Sequence, residues 1–144
     1  VLQAMTKKLA IEDRVTFLGF VPDKDLPGLY ALSHCFVIAS IAELQSLVTM
    51  EAMASGLPIL AVDIAALPEL VRHGQNGYQF SLNDQGSLTR AITKIFDDDA
   101  LQKKFSEKSL AIIQQHSIAR TIDIFEKLYR QTMKDYKYPA KPKK

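Results

Sequence analysis

The stretch Cys35-Phe-Val-Ile-Ala-Ser-Ile-Ala-Glu-Leu-Gln-Ser-Leu-Val-Thr-Met-Glu-Ala-Met-Ala-Ser-Gly-Leu-Pro-Ile-Leu-Ala-Val62 decides the fold. Two short apolar runs, Cys35–Ala39 and Pro58–Val62, bracket a segment whose spacing suits a helix over Ser46–Ser55. Strands buried on both faces read as continuous apolar runs, and parallel strands need a crossover between them. Gly56-Leu-Pro58 supplies the helix stop.

The same alternation continues on both sides. Val15-Thr-Phe-Leu-Gly-Phe20 and Gly77-Tyr-Gln-Phe80 read as further strands, and Asp25–Ser33 and Leu67–His73 as helices. The series predicts an α/β fold, a parallel sheet with flanking helices. After Phe80 the chain reads as three consecutive helices, Asp84–Asp97, Asp99–His116 and Ser117–Lys134. Asp97-Asp-Asp99 breaks the first two, Ser117 is placed to cap the third, and Ile118, Ile122, Phe125, Leu128 and Tyr129 share one face of it.

Composition bounds the reading. At 144 residues and 47% apolar, the chain holds one domain's worth of core, assigned here to residues 1–134. The formal charge of +2 is uneven, because the last eleven residues carry five lysines against one aspartate, leaving the body near −2. The body gives no argument for nucleic acid. The basic end, 135–144, has three readings: a solvated loose tail, a weak peripheral contact with the cytoplasmic face of a membrane, or an appended remnant. A lone Cys35 in an apolar run fits a buried thiol in a reducing, cytoplasmic setting. There is no signal-peptide pattern, and Val1 falls within an apparent helix, so a piece of a longer protein is expected.

Glu43 and Glu51 straddle the start of the central helix, eight positions apart. A loop-to-helix junction presents free backbone N–H groups and the positive end of a helix dipole. In an open parallel sheet, ligands bind beyond the carboxyl ends of the strands. Phe20–Lys24, Ser40–Ser46 and Asp63–Pro68 are therefore expected to line one cleft.

These residues resemble a family. The ordered series V-x-F-L-G-F-V, L-x-x-L-Y-x-x-S-x-x-F-V-x-x-S, Glu43-x(7)-Glu51, Glu51-Ala-Met-Ala-Ser-Gly-Leu-Pro58, Leu67-Pro-Glu-Leu-Val71 and Gly74-Gln-Asn-Gly77 is similar to retaining GT-B glycosyltransferases of family four. The similarity runs over Val15–Phe80, in their C-terminal, donor-binding domain. A bare pair of glutamates at this distance is weak; the ordered series is specific.

The resemblance implies a Rossmann-like C-terminal half that binds a nucleotide-sugar donor, a UDP-sugar before a GDP-sugar, for retaining hexose transfer. Glu43 would orient the sugar hydroxyls beside the reacting carbon, and Glu51 would hold the ribose. The main chain of Leu44, Gln45, Ser46 and Leu47 would meet sugar and diphosphate, while backbone groups at Phe20, Val21 and Pro22 would meet the base. No protein nucleophile, metal or other cofactor is implied. The domain's first strand and helix, with their diphosphate-gripping cations, and an N-terminal domain contacting the acceptor would precede Val1. The fragment alone is then expected to bind donor weakly and transfer nothing.

Two departures stand out. Leu44 and Gln45 occupy places where the family has glycine, and Glu-x-Gln is seen in members that glycosylate membrane lipids. Ala65-Ala66 stands where many members have glycines, which predicts a stiffer loop.

Blander readings accompany the rest. His34, His73 and His116 share no spacing, Met50 and Met53 suit core packing, Glu69 suits a helix start, and Asp23 and Asp25 suit helix capping. Rival functions are a sugar-nucleotide epimerase of the same architecture and a non-catalytic binding module with a receiver-like sheet. A receiver needs an aspartate after a middle strand, and Cys35–Ser40 is followed by none.

Overall fold

A computed structural model of the protein describes residues 1–136; the lysine-rich end beyond Tyr136 lies outside the described residues. The chain gathers into two compact units that divide after Leu32.

The first unit holds α1 (Leu2–Lys8), a short 3-10 turn at Glu12–Arg14 and α2 (Leu26–Ala31). Val15–Phe20 does not form the expected strand. Val15 is extended, yet the segment has no ladder partner among the described residues, and Phe17, Leu18 and Phe20 are exposed. Apolar alternation makes a segment fit for a strand; only a neighbouring backbone makes it one. Asp25 takes the N-cap position of α2 without its side chain capping, so that expectation also fails. The chain turns into α2 through the Asp25 N–H, which donates to the Pro22 carbonyl at 2.9 Å.

The second unit is built on β1 (Phe36–Ile38), β2 (Ile59–Val62) and β3 (Gly77–Phe80), all parallel in the order β1-β2-β3. The central strand is buried along its whole length, as its unbroken Ile-Leu-Ala-Val predicts. Between strands run α3 (Leu47–Ala54) and α4 (Leu67–Leu70), then α5 (Gln85–Phe96), α6 (Asp99–Ile113) and α7 (Ile118–Asp135) follow. The short α4 ends at Leu70, where Val71 turns extended, well before the expected His73.

Leu60 sits between Val37 and Tyr78 in register, and this face packs with Ala91, Ile95 and Phe105 from α5 and α6. The Tyr78 and Phe105 rings meet edge to face with centroids 5.2 Å apart. A buried Ser109 hydroxyl donates to the Leu57 carbonyl at 2.7 Å, fastening α6 to the loop that feeds β2. Asp84, Asp98 and Ser117 cap α5, α6 and α7 through their side chains. Along α7, Ile118, Ile122, Phe125, Leu128 and Tyr129 remain exposed.

β2 and β3 approach too closely for any side chain at the first residue of β3. A Cβ on Gly77 would lie 1.7 Å from the Ile59 carbonyl oxygen. The turn before it closes through Gly74, at φ +73°, whose N–H donates to the Gly77 carbonyl at 2.8 Å.

Candidate functional site: the carboxyl edge of the sheet

The parallel strands discharge on one edge, into 39–46 after β1, 63–66 after β2 and 81–84 after β3. Ser46 is buried at the start of α3 with extended backbone, and its hydroxyl shares a 2.8 Å hydrogen bond with that of Thr49. Its side chain therefore does not cap the helix. The first bond of the ladder runs from the Met50 N–H to the Ser46 carbonyl at 3.1 Å, so the N–H groups of Leu47, Val48 and Thr49 precede it. No acidic side chain stands in that first turn to offset the dipole. The helix start is electrically suited to an anion.

Glu43 is half-buried just upstream, and its carbonyl accepts from the Ala66 N–H at 3.3 Å. That bond joins two of the segments expected to line a cleft. Leu44 and Gln45 are exposed, Leu44 to 97%. On α3, Thr49, Ala52 and Met53 form the buried face, while Glu51 lies exposed, one turn beyond the exposed Leu47 and Val48. Glu51 thus shares its flank of the helix with the N-terminal turn.

Phe20, Val21 and Pro22 belong to the first unit, where Phe20 is 89% exposed and Val21 half-buried.

The missing glycines have separate consequences. Leu44 and Gln45 keep negative φ, so the Glu43 loop needs no glycine. Ala65 adopts φ +56°, a left-handed conformation that costs a residue bearing a Cβ roughly 1–2 kcal/mol. Strain therefore sits in the loop hydrogen-bonded to Glu43.

Asp63 opens one of the segments expected to line a cleft, whereas the sequence reading passes over Ser81 and Asn83; the three line an open cavity of about 440 Å³ with Val62, Ile64, Phe80 and Leu82. Ser81–Asn83 reads as a lead-in to a helix, but its position after a parallel strand is the signal that marks it. On this edge a hydrogen bond from Arg90 lowers the pKa of Asp84, and away from it burial raises that of the Cys35 thiol. Among the described residues, no three His, Cys, Asp or Glu side chains gather as a metal site needs. Nor is any described helix long and apolar enough to cross a membrane.

The model for glycosyl transferases group 1 matches residues 1–111. The chain belongs to that family. This group 1 chain is 32% identical over 137 residues to O-antigen chain mannosyltransferase B of Escherichia coli, covering 95% of itself and 34% of that protein. It superposes on Anabaena Alr3699/HepE, solved in complex with UDP-glucose, with a TM-score of 0.79 and 30% identity over 90% of this chain and 36% of the other. The solved C-terminal domain of a group 1 protein (LpcC) from Francisella tularensis shares the fold at 24% identity, with a TM-score of 0.73 and coverage of 81% of this chain and 61% of that one. The chain spans about a third of the length of the curated relatives it matches. Its three-stranded parallel sheet with flanking helices has the architecture of the C-terminal half of a GT-B glycosyltransferase.

Proposed function

We propose that this chain is the donor-binding part of a retaining hexosyltransferase that uses a nucleotide sugar, with a UDP-sugar favoured. The observation that carries the reading is the start of α3. Free N–H groups at Leu47–Thr49 face a dipole end with no acidic neighbour, Glu43 precedes them, and Glu51 follows on the same exposed flank. A diphosphate at the helix start would leave the sugar toward Glu43 and the ribose toward Glu51. Leu44, Gln45, Ser46 and Leu47 would then offer main-chain groups to sugar and phosphate. The complex of Alr3699/HepE with UDP-glucose supports the choice of UDP.

In this reading Glu43 orients the sugar and no protein carboxylate attacks it. The leaving diphosphate is stabilised electrostatically, by the helix start and by cations elsewhere in the whole protein. No metal or cofactor takes part. The acceptor, a membrane lipid or surface glycan, is met mainly by the rest of the protein. The lysine-rich end adds a peripheral contact at the cytoplasmic membrane face, measurable as loss of binding to anionic liposomes when 135–144 is removed.

Calorimetric titration of the chain with UDP, UDP-glucose and GDP-mannose tests the donor site. Glu51→Gln is expected to weaken UDP and UDP-glucose alike by about tenfold or more, the value of a charge-assisted hydrogen bond. Glu43→Gln is expected to weaken UDP-glucose and leave UDP unchanged. The chain alone turns nothing over. Equal effects of both substitutions on UDP, or no nucleotide binding at all, would sink the assignment.

A further inference from the structure

Between β3 and α5 lies a pocket of about 200 Å³ whose lining includes His73, Tyr78, Gln79, Ser87, Arg90 and Lys94. None of these residues belongs to the loop that leads into α3 or to the cavity after β2 and β3. The pocket is therefore a different place from the donor site. Its frame is set by local bonds. The Gln79 N–H donates to His73 Nδ1 at 3.1 Å, which leaves the imidazole proton on Nε2, without a partner among the described residues. The Ser87 hydroxyl donates to the Asp84 carbonyl at 2.6 Å and accepts from the Ser81 N–H at 3.2 Å, tying the first turn of α5 to the end of β3. Tyr78 joins the two sides. The His73 and Tyr78 rings meet edge to face with centroids 5.3 Å apart, and Lys94 Nζ stands over the Tyr78 ring, 5.4 Å from its centre.

The charges of the lining choose the chemistry. Arg90 and Lys94 stand four residues apart on α5, on one face, and like charges at that spacing repel. Among the described residues Arg90 has one charged partner, Asp84, which leaves most of its N–H groups open, and Lys94 has no hydrogen bond or ion pair beyond the Tyr78 ring. No carboxylate lines the pocket. An ammonium, a guanidinium and an imidazole N–H thus line a space that holds no acceptor of matching charge. The volume sets the size of the guest: about 200 Å³ is below the ~300–1,000 Å³ usual for drug-sized ligands, which leaves room for a compact oxyanion. A phosphate monoester carries about −1.5 to −2 charges at pH 7 on three strong acceptor oxygens, one for each donor. A carboxylate brings a single charge and two oxygens, and a neutral guest leaves the repulsion between the cations as it was.

We infer that this pocket binds the phosphoryl group of inorganic phosphate or of a small phosphate monoester, with Lys94, Arg90 and the His73 Nε2–H as donors. The inference goes beyond the donor-binding reading and stands apart from it. Asp84, the partner of Arg90, also caps α5, accepting from the Gly86 N–H at 3.0 Å. A bound phosphoryl group competes with Asp84 for Arg90, so occupancy is felt at the start of α5 and in the loop after β3.

Nuclear magnetic resonance spectra of the full chain, at constant pH and ionic strength, test the site. The probes are inorganic phosphate, glycerol 3-phosphate, and acetate as the planar, singly charged contrast. Saturating shifts of the Gln79 and Ala91 amides and of the Tyr78 ring are expected with inorganic phosphate or glycerol 3-phosphate, and the tighter of the two tells whether the group is free or esterified. Lys94→Gln and Arg90→Gln, at exposed helix positions that glutamine suits, are each expected to weaken that binding about tenfold, and Lys94→Arg to retain it. Arg90→Gln also breaks the pair with Asp84, so Lys94→Gln, which removes no hydrogen bond or ion pair, carries the decision. Shifts that do not saturate with either phosphate, that acetate reproduces at the same concentration, that are confined to Ser46–Thr49, or that keep the parent's affinity in Lys94→Gln would overturn the inference. UDP affinity is expected to be unchanged by Lys94→Gln; a parallel loss would make the pocket part of the donor site and overturn it as a separate one.

Discussion

Asn76 offers the sharpest test of how the sheet edge is held. Its side chain is fully buried, its amide donates to the Leu70 carbonyl at 3.1 Å, and its side-chain oxygen accepts from the Arg72 N–H at 2.8 Å. Its own carbonyl accepts from the Ile59 N–H at 3.0 Å. One residue thus joins the end of α4, the turn at Gly74 and the start of β2. Asn76→Ala removes both side-chain bonds, each worth about 1 kcal/mol net, and leaves the Leu70 carbonyl without this donor at a further ~1–2 kcal/mol. The expected loss is about 3 kcal/mol, a large part of the ~5–15 kcal/mol that holds a typical domain.

Asn76→Asp has nearly the same shape and separates hydrogen bonding from packing. It keeps the acceptor for Arg72, loses the donor to Leu70, and at pH 7 sets a carboxylate against a carbonyl in a dry site. Burial raises the folded-state pKa of the new carboxyl, so the native state holds a proton that the unfolded chain releases above about pH 4. Stability of this variant therefore falls as pH rises from about 4 through the raised value, opposite in sign to a salt-bridged aspartate. Urea unfolding followed by circular dichroism at pH 5 and pH 7 measures both effects. If Asn76→Asp matches the parent at pH 7, or Asn76→Ala costs under about 0.5 kcal/mol, the side chain is not the tie described.

Gly77→Ala should prevent the sheet from forming as it stands, because the new methyl meets backbone rather than a flexible side chain; a cooperative unfolding transition like the parent's would contradict the 1.7 Å approach. Cys35, half-buried with a raised pKa, should alkylate with iodoacetamide at pH 7.5 more slowly than a free cysteine peptide and speed up only in denaturant. Equal rates in the folded and unfolded protein would show the thiol to be open.

Where a signal was written in the residues of one stretch of chain, the sequence showed the structure. Ile59–Val62 is apolar throughout because both its faces are covered, and Ser117 caps α7 because capping is settled within three residues. Where the outcome depended on a distant partner, it did not. Val15–Phe20 has strand chemistry and no ladder. Asp25 fails for a local reason, since its backbone is already helical at φ −97°, ψ −19° and not extended as a capping residue's usually is. The candidate site divides the same way. The helix start after Glu43 was legible because a loop, a serine and an apolar repeat announce it. The bond from Ala66 to the Glu43 carbonyl was not, since it joins two loops 23 residues apart through main-chain atoms that carry no residue code.

That bond gives the strain at Ala65 a consequence. Glycine would take φ +56° freely, whereas alanine holds it at a cost, so the neighbouring bonds must keep the loop in place. They are the Ile64 N–H to the Val62 carbonyl at 2.9 Å, the Leu67 N–H to the Ile64 carbonyl at 3.3 Å, and Ala66 to Glu43. Ala65→Gly relieves ~1–2 kcal/mol of strain but frees the unfolded chain by ~0.4–1 kcal/mol, so the net change in stability should stay within about 1.5 kcal/mol. Its effect on binding should be less balanced. A looser loop lets Glu43 wander, which weakens UDP-glucose relative to UDP. A rise in stability with an unchanged UDP-glucose to UDP ratio would mean that Ala65 stiffens the loop without positioning Glu43.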